Sequence, residues 1–232
     1  MLVYGKNVAR EILLSNTKIY KVFLDNNFND DEILKLIHKK NLKIFHIDRN
    51  KLNKMTDNGI NQGIALDIEE YNYLTIDEIE KDDKANFIVM LDQLEDPHNF
   101  GAIIRTCECA GVNYIIIPKK RSVNVTSTVY KTSAGALNNI KIVEVVNLNN
   151  TIDKLKKLGF WVYGADAGSK NYRDVKYDGK TLLIIGSEGS GMKRIVKEAC
   201  DEIISIPLKG NVTSLNASVA AGILIYEIEK YK

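Results

Sequence analysis

The sequence has few of the features that mark membrane, secreted or disordered proteins. Only 3 of its 232 residues are proline and 45% are hydrophobic, so a Pro-rich disordered chain is excluded and a core can form. No apolar run approaches the roughly 18 residues needed to cross a bilayer. The first residues show no hydrophobic stretch typical of a signal peptide. We therefore expect a cytoplasmic protein with no membrane partner.

The chain also has few cysteines and a small net charge. The three cysteines are an odd number without a secretory signal, which argues against a disulfide framework. The histidines do not cluster with them, and no metal site is expected. A net charge of only +2 differs from that of a strongly basic nucleic-acid binder, so an RNA partner must be held by local patches. The clearest patch is Lys119-Lys120-Arg121, although three adjacent bases are also typical of a solvated turn.

The hydrophobic pattern divides the chain into two α/β regions. Residues 1–70 alternate helical and strand patterns and predict a small α/β domain. Residues 71–84 are acidic and polar, as in a linker. Residues 85–232 alternate buried strands with helices, which predicts a mainly parallel sheet covered on both faces. Because ligands of such sheets bind at the carboxyl ends of strands, the loops after Leu91, Ile185 and Ile206 are the informative ones.

The first of these loops, residues 92–105, leaves a buried strand and enters a helix. We expect Asn99 at or near the N-cap, where its side chain bonds backbone N–H groups beside a natural anion site. Arg105 follows almost two turns later, and its guanidinium suits a phosphate or a developing oxyanion. A capped helix with a surface arginine accounts for the same residues.

The second loop carries Gly186, Gly189 and Gly191 directly after an apolar strand. Glycines allow the backbone to approach a ligand closely, but the spacing matches neither the dinucleotide fingerprint nor a P-loop. Glu188 would repel a phosphate and suits a ligand with hydroxyls or a cation. A structural turn is the alternative explanation.

The third loop runs from Ile206 into a helix that starts near Ser214. Asn216 and Ser218 follow, in the pattern of a helix cap. The rest of the helix is apolar nearly all round, which requires burial on most sides and favours a subunit interface. Ordinary capping by serines is the simpler explanation of the polar residues.

Taken together and in this order, the three loops resemble the SpoU (TrmH-like) RNA ribose 2′-O-methyltransferases of the SPOUT class, over about residues 85–230. The first 70 residues, with Tyr4-Gly5-Lys6-Asn7 and Asn61-Gln62-Gly63-Ile64, resemble the L30e-like substrate-binding domain of the bacterial 23S rRNA guanosine methyltransferases. The resemblance implies an N-terminal L30e-like α/β domain and a C-terminal α/β-knot domain with a deep trefoil knot. It also implies a homodimer through the knot domain.

The resemblance implies a site as well. S-adenosylmethionine would be bound by Gly186, Ile206 and Leu215, with Ile185 and Leu208 nearby. The implied catalytic residues are Asn99, Arg105, Glu188, Ser214 and Asn216. The family's usual account makes this arginine the general base. An arginine pKa above about 12 favours a stabiliser of the developing alkoxide instead, and both roles stay open.

The implied function is methylation of a guanosine 2′-hydroxyl in 23S rRNA. The need for a 2′-hydroxyl excludes DNA as a substrate. Three alternatives stay open: the same chemistry on tRNA, a non-catalytic rRNA-binding assembly factor, and a resistance methylase rather than a housekeeping enzyme.

Overall fold

The computed structural model describes residues 1–187, 189 and 191–232. In these residues the strands are β1 (Leu2–Tyr4), β2 (Ile19–Asp25), β3 (Ile44–Ile47), β4 (Ile64–Ile68), β5 (Phe87–Leu91), β6 (Tyr114–Pro118), β7 (Lys141–Val145), β8 (Trp161–Asn171), β9 (Thr181–Ile185) and β10 (Glu202–Ser205). The α-helices are α1 (Lys6–Leu14), α2 (Asp31–Lys39), α3 (Arg49–Met55), α4 (Ile76–Glu80), α5 (Pro97–Cys109), α6 (Ser127–Ser133), α7 (Leu148–Lys157), α8 (Arg194–Glu198) and α9 (Ala217–Glu229).

The first of two compact units comprises Met1–Asn72 and Val125–Asn138. Its four-stranded sheet has the order β1-β4-β2-β3, in which only the β2–β3 pair is parallel. Helix α1 packs against β1 and β4, and α2 packs against α1. The side chains that α1 and α2 bury are those of one face of each helix: Val8, Ala9, Ile12, Leu13, Ile33 and Ile37.

Two elements of this unit do not show in the hydrophobic pattern. Strand β1 has three residues, too few to display an alternation. Helix α3 buries only Leu52, so it lacks an apolar stripe, and its start is fixed by the Asp48 side chain, which accepts a hydrogen bond from Lys51 N at 3.0 Å. The position of this helix is therefore determined by its N-cap and not by an apolar stripe.

The boundaries of the units differ from the predicted linear division. Residues 125–138 were expected in the C-terminal region, but they belong to the first unit, where α6 packs against β1 and α1. Residues 73–84 were expected to form a linker, but they belong to the second unit. There Leu74 N donates to Ile142 O at 2.9 Å, and Ile79 is buried in the core. A polar segment is thus held by backbone pairing and one apolar anchor.

The second unit comprises Tyr73–Asn124 and Asn139–Lys232. Its six strands are all parallel, in the order β10-β8-β9-β5-β6-β7. The central strands β5 and β9 are buried throughout, as continuous apolar runs predict. The predicted α/β class with a mainly parallel sheet is confirmed, whereas the trefoil knot stays a prediction. Within the described residues, no helix has the length and apolarity of a bilayer span.

Replacing Asn61 tests the polar anchor of the first unit. Asn61 is buried, its Nδ2 donates to Asn53 Oδ1 at 2.9 Å and Thr56 Oγ1 at 3.0 Å, and its Oδ1 accepts from Gly63 N at 3.0 Å. Asn61→Ala leaves these partners unsatisfied, at a cost of about 2 kcal/mol. We expect amide exchange in β4, followed by mass spectrometry, to accelerate about 30-fold. The exposed Asn50→Ala is the control, and equal exchange in both variants would contradict the anchoring role.

Candidate active site

A pocket of about 370 Å³ opens at the carboxyl ends of β10 and β9 and beside the middle of β8, which lies between them in the sheet of the second unit. Its volume lies within the range of small-molecule sites, and its place is the one that ligands of parallel sheets occupy. The described residues that line it are Ala165, Asp166, Ala167, Ile185, Gly186, Ser187, Gly189, Gly191, Ile204, Ile206, Leu208, Thr213, Ser214, Leu215, Ala217, Ala220 and Leu224. The wall is therefore mostly small and apolar, with a few hydroxyls.

A break in the pairing of β8 with β10 makes room for the pocket. Ile203 pairs with Gly164, but the next residue, Ile204, pairs with Lys170. Residues 165–169 therefore leave the partner strand, while Ala165 stays paired with Ile185 of β9. The apolar residues of the first half of β8 end at Gly164, where this break begins. The detour supplies one wall of the pocket through Ala165, Asp166 and Ala167.

Gly186 lies where two backbone segments of the site pack so closely that no side chain fits between them. A Cβ atom there would lie 2.3 Å from the carbonyl carbon of Gly191 and 2.4 Å from Met192 N. The loop between is closed by two backbone hydrogen bonds, Ser187 N to Gly191 O at 3.1 Å and Gly191 N to Ser187 O at 3.0 Å. Only glycine at position 186 allows the two backbone segments to pack this closely.

A buried carboxylate ties this loop to the neighbouring strand. Asp92 follows β5 and is fully buried. Its backbone N donates to Ile185 O at 2.8 Å, and its Oδ2 accepts from Lys193 N at 2.7 Å. Asp92 thereby fixes both the end of β9 and the far end of the glycine-rich loop.

Asp166 is the only ionisable residue among the described residues that line the pocket. Its Oδ1 accepts from Ala167 N at 2.8 Å, and its Oδ2 accepts from Lys197 Nζ. A carboxylate at this wall favours a ligand that carries a cation or hydroxyl donors. Sequence reasoning missed Asp166, although an acidic residue between Gly164 and Gly168 after an apolar strand was a usable signal.

The amides of Asn99 and Asn216 join the starts of α5 and α9. Asn216 Nδ2 donates to Asn99 Oδ1 at 3.0 Å, and Asn216 Oδ1 caps α9 by accepting from Ser218 N at 2.9 Å. Asn99 Nδ2 donates to Asp96 Oδ2 at 3.2 Å. This chain of bonds fixes the orientation of both amides, because each oxygen and nitrogen has a defined partner.

Two helix caps lie two or three residues from the positions named in the sequence analysis. Asn99 is not the N-cap of α5. It lies inside the first turn and is 6% exposed, while Asp96 caps the helix by accepting from His98 N at 2.8 Å. Pro97 at the first helical position lacks an N–H and suits that place. Helix α9 begins at Ala217 rather than near Ser214, because Asn216 supplies its cap.

The structure brings most of the predicted site residues together. Gly186, Ile206, Leu215, Ile185 and Leu208, the expected cofactor residues, all line the pocket, as does Ser214. Arg105 lies on the exposed side of α5, about 9 Å along the helix axis from Asn99. Its guanidinium has no hydrogen bond or ion pair among the described residues. Glu188, expected to be catalytic, lies outside the described residues.

Two other features from the sequence lie outside the pocket. The basic triplet at residues 119–121 is exposed, and Lys119 Nζ lies 3.8 Å from Glu144 Oε2. The cysteines are unpaired; burial raises the pKa of Cys200 to about 12. Within the described part of the chain, no group of three His, Cys, Asp or Glu side chains is arranged to hold a metal.

Known proteins share both units. The family model of the SpoU rRNA methylases matches residues 86–226, and the model for RNA 2′-O ribose methyltransferase substrate binding matches residues 2–74. YacO of Bacillus subtilis (strain 168), assigned to the TrmH family of tRNA/rRNA methyltransferases, is 41% identical over 234 residues, covering 97% of this chain and 94% of YacO.

Two solved structures are also similar. AviRb of Streptomyces viridochromogenes, a SpoU methyltransferase solved with AdoMet, has a TM-score of 0.84 at 21% identity, covering 99% of this chain and 89% of AviRb. The TrmH/SpoU tRNA-modifying enzyme of A. aeolicus has a TM-score of 0.57 at 32% identity, covering 64% of this chain and 76% of that enzyme. With both family models matched, the chain belongs to the SpoU family of RNA methyltransferases.

Gly186→Ala tests whether the close packing of the glycine-rich loop maintains the pocket. The added methyl group would collide with the backbone of residues 191–192, so the loop must shift and the pocket must change shape. We expect the dissociation constant for S-adenosylmethionine, measured by calorimetry, to rise at least about tenfold, or about 1.4 kcal/mol. Gly210→Ala, which places its Cβ in open space, is the matched control. Unchanged affinity in Gly186→Ala would contradict the assignment of this pocket.

Proposed function

We propose that the protein transfers a methyl group from S-adenosylmethionine to a ribose 2′-hydroxyl of RNA, specifically of a guanosine in 23S rRNA. The single observation that supports this best is the convergence on one pocket of five residues expected to bind the cofactor, with Ser214 beside them. These residues come from three separate segments of the chain, 185–186, 206–208 and 214–215. The first two segments follow the carboxyl ends of β9 and β10, and the third leads into α9.

The pocket suits this cofactor in size and chemistry. When bound, S-adenosylmethionine supplies an electrophilic methyl group on a sulfonium sulfur. The backbone at Gly186, Ile206 and Leu215 would hold the adenosine part, since glycine at 186 leaves backbone rather than side chain at the wall. Asp166 would favour the cationic or hydroxyl-bearing portion of the molecule. A relative solved with AdoMet, AviRb, has the same fold.

Arg105 is the residue that we assign to the reacting ribose. A 2′-hydroxyl is a very weak acid, and its oxygen gains negative charge as its proton leaves. A guanidinium stays protonated at neutral pH, so Arg105 would stabilise this charge and an adjacent phosphate, worth a few kcal/mol. Because Arg105 is exposed and has no partner among the described residues, RNA can reach it.

The amide pair beside the pocket would position the substrate. Asn99 would orient the phosphate next to the target ribose, and Asn216 holds the Asn99 amide in place through their 3.0 Å hydrogen bond. Ser214, at the pocket wall, would position the ribose and Arg105. We assign Glu188 to fixing the loop or the nucleotide.

The substrate proposal rests on the first unit. That unit matches the substrate-binding model of RNA 2′-O ribose methyltransferases. The similarity to the A. aeolicus tRNA-modifying enzyme covers 64% of this chain, so about a third of the chain has no counterpart in it. An RNA target that needs both units favours rRNA. Methyl transfer to purified tRNA but not to rRNA would show instead that tRNA is the substrate.

We further propose a homodimer through α9. Val219 is 51% exposed and Tyr226 is 48% exposed, and with Ile223 they follow the i, i+4, i+7 spacing of one helix face. A second copy would remove the stripe from water, and a trefoil knot in the same unit would hold α9 rigidly for that contact.

Arg105→Ala separates chemistry from cofactor binding. We expect transfer of tritiated methyl groups to rRNA to fall about 100-fold or more, because the developing alkoxide loses its stabilising charge. The dissociation constant for S-adenosylmethionine should stay within about twofold, since Arg105 is not among the residues that line the pocket. Arg194→Ala, at an exposed arginine on α8, is the control. Near wild-type transfer by Arg105→Ala would remove this residue from the mechanism.

Val219→Asp tests the dimer. A carboxylate in the middle of the apolar stripe would have to be desolvated at the interface, which costs several kcal/mol. Sedimentation equilibrium should therefore show a monomer. Ile195→Asp, at a residue 60% exposed on α8, should leave the dimer intact. A Val219→Asp protein that sediments like wild type would exclude this face.

A further inference from the structure

The wall of the pocket carries the carboxylate of Asp166, and open space lies beside it. Asp166 Oδ1 lies 4.0 Å from the position that a Cβ atom would take on Gly191, and both residues line the pocket. Among the described residues beyond the chain neighbours of Gly191, no other heavy atom comes as close to that position. The Asp166 side chain is 30% exposed. A ligand in the pocket can therefore reach this carboxylate.

The backbone holds Asp166 in a fixed place. Two residues earlier, a Cβ atom on Gly164 would lie 2.7 Å from Cys200 Sγ and 2.8 Å from Met192 Cε, so the strand packs directly against both side chains. On the other side, Ala165 stays paired with β9. The carboxylate is thus positioned before a ligand binds, and binding does not have to order it.

The carboxylate of Asp166 already accepts two hydrogen bonds. Its Oδ1 accepts from Ala167 N at 2.8 Å, and its Oδ2 accepts from Lys197 Nζ of α8. An ionised carboxylate has about four acceptor sites on its two oxygens, so about two remain beyond these contacts with the described residues. A ligand group with two adjacent hydrogen-bond donors matches them.

The ion pair with Lys197 determines which ligand group fits best. Carboxylate and ammonium together carry no net charge, and at the distance of a ligand their Coulomb energies oppose each other. A sulfonium or ammonium cation therefore gains little from the pair. A neutral hydroxyl still gains, because it donates to the lone pairs of an ionised acceptor, and such charge-assisted hydrogen bonds are the stronger ones.

We infer that Asp166 binds the two ribose hydroxyls of the cofactor, with its charge balanced by Lys197. Adjacent hydroxyls supply the two donors, and an acidic residue has the same part toward ribose in the unrelated dinucleotide-binding folds. The inference rests on the proposed use of S-adenosylmethionine. It makes Asp166 a specificity-determining residue, through which the pocket recognises the ribose of the cofactor and not its positive charge.

Calorimetry with S-adenosylhomocysteine and its 2′,3′-dideoxy analogue tests this contact. Neither ligand carries the sulfonium charge, and the two differ only in the ribose hydroxyls. We expect wild-type protein to bind the dideoxy analogue at least about tenfold more weakly, because hydrogen bonds to a charged acceptor are lost. Equal dissociation constants for the two ligands in wild type would overturn the inference without any variant.

Asp166→Ala assigns the hydroxyl contact to this residue. The ratio of the two dissociation constants should fall to less than about twofold, because the acceptor is gone. A merely structural role of Asp166 would weaken both ligands equally and leave the ratio unchanged, which would contradict the inference. Asp166→Ala should also weaken S-adenosylmethionine and S-adenosylhomocysteine by the same factor, within about twofold. A loss confined to S-adenosylmethionine would show instead that the carboxylate contacts the sulfonium.

Lys197→Gln tests the balance of charge and changes a side chain that is 42% exposed, so we expect the fold to be retained. The carboxylate of Asp166 is then no longer neutralised. The affinity for S-adenosylmethionine relative to S-adenosylhomocysteine should rise about threefold. An unchanged relative affinity would contradict the assignment of a neutral pair.

Glu202→Gln is the matched control. It removes a carboxylate that pairs with Lys170 at 2.6 Å in the same sheet and is not among the described residues that line the pocket. The dideoxy ratio should equal that of wild type within about twofold. A ratio lowered as in Asp166→Ala would assign the effect to a general loss of charge and overturn the inference.

Methyl transfer to rRNA distinguishes this inference from the proposed function. Transfer by wild type that binds the dideoxy analogue as tightly as S-adenosylhomocysteine would reject the ribose contact and leave the methyltransferase standing. A dideoxy ratio that depends on Asp166, without transfer to any RNA, would reject the enzyme and leave the ribose contact standing. Binding of neither S-adenosylmethionine nor S-adenosylhomocysteine by wild type would overturn both.

Discussion

The backbone contact between Gly186 and residues 191–192 is the constraint on which the site depends. It is possible only without a side chain at 186, and it folds the loop after β9 back on itself. Asp92 secures the same loop from the next strand by accepting from Lys193 N at 2.7 Å. The end of β9 is thereby fixed, and the detour of β8 beside it leaves a cavity rather than a collapsed core. Pocket shape follows from backbone packing, which suits recognition of a cofactor largely by main-chain groups.

Binding and chemistry are assigned to different but adjoining parts of the second unit. The pocket wall is supplied by the middle of β8, the ends of β9 and β10, and the segment that leads to α9. The amide pair Asn99–Asn216 joins α5 to the start of that helix. Movement of either helix start would therefore disturb both the expected phosphate contact and the pocket.

Much of this arrangement could be predicted from residue patterns, and the failures have physical causes. The buried strands β5 and β9 were visible as apolar runs, and the pocket loops as glycines and polar turns at their ends. Asp166 was missed because the apolar pattern ends at Gly164, whereas the strand continues through a register break that depends on pairing with β10. Asn99 lies near the helix start as predicted, but Asp96 supplies the cap because Pro97, with its fixed backbone angle, occupies the first helical position. The membership of residues 125–138 in the first unit depends on tertiary packing of α6 and cannot be derived from local sequence.

Mapping of 2′-O-methyl groups in the RNA of cells with and without this protein tests the central claim most directly. The account predicts that one guanosine of 23S rRNA loses its methyl group when the protein is absent, and that wild-type protein restores it while Arg105→Ala protein does not. Identical methylation maps of rRNA and tRNA in the two kinds of cell would contradict the account.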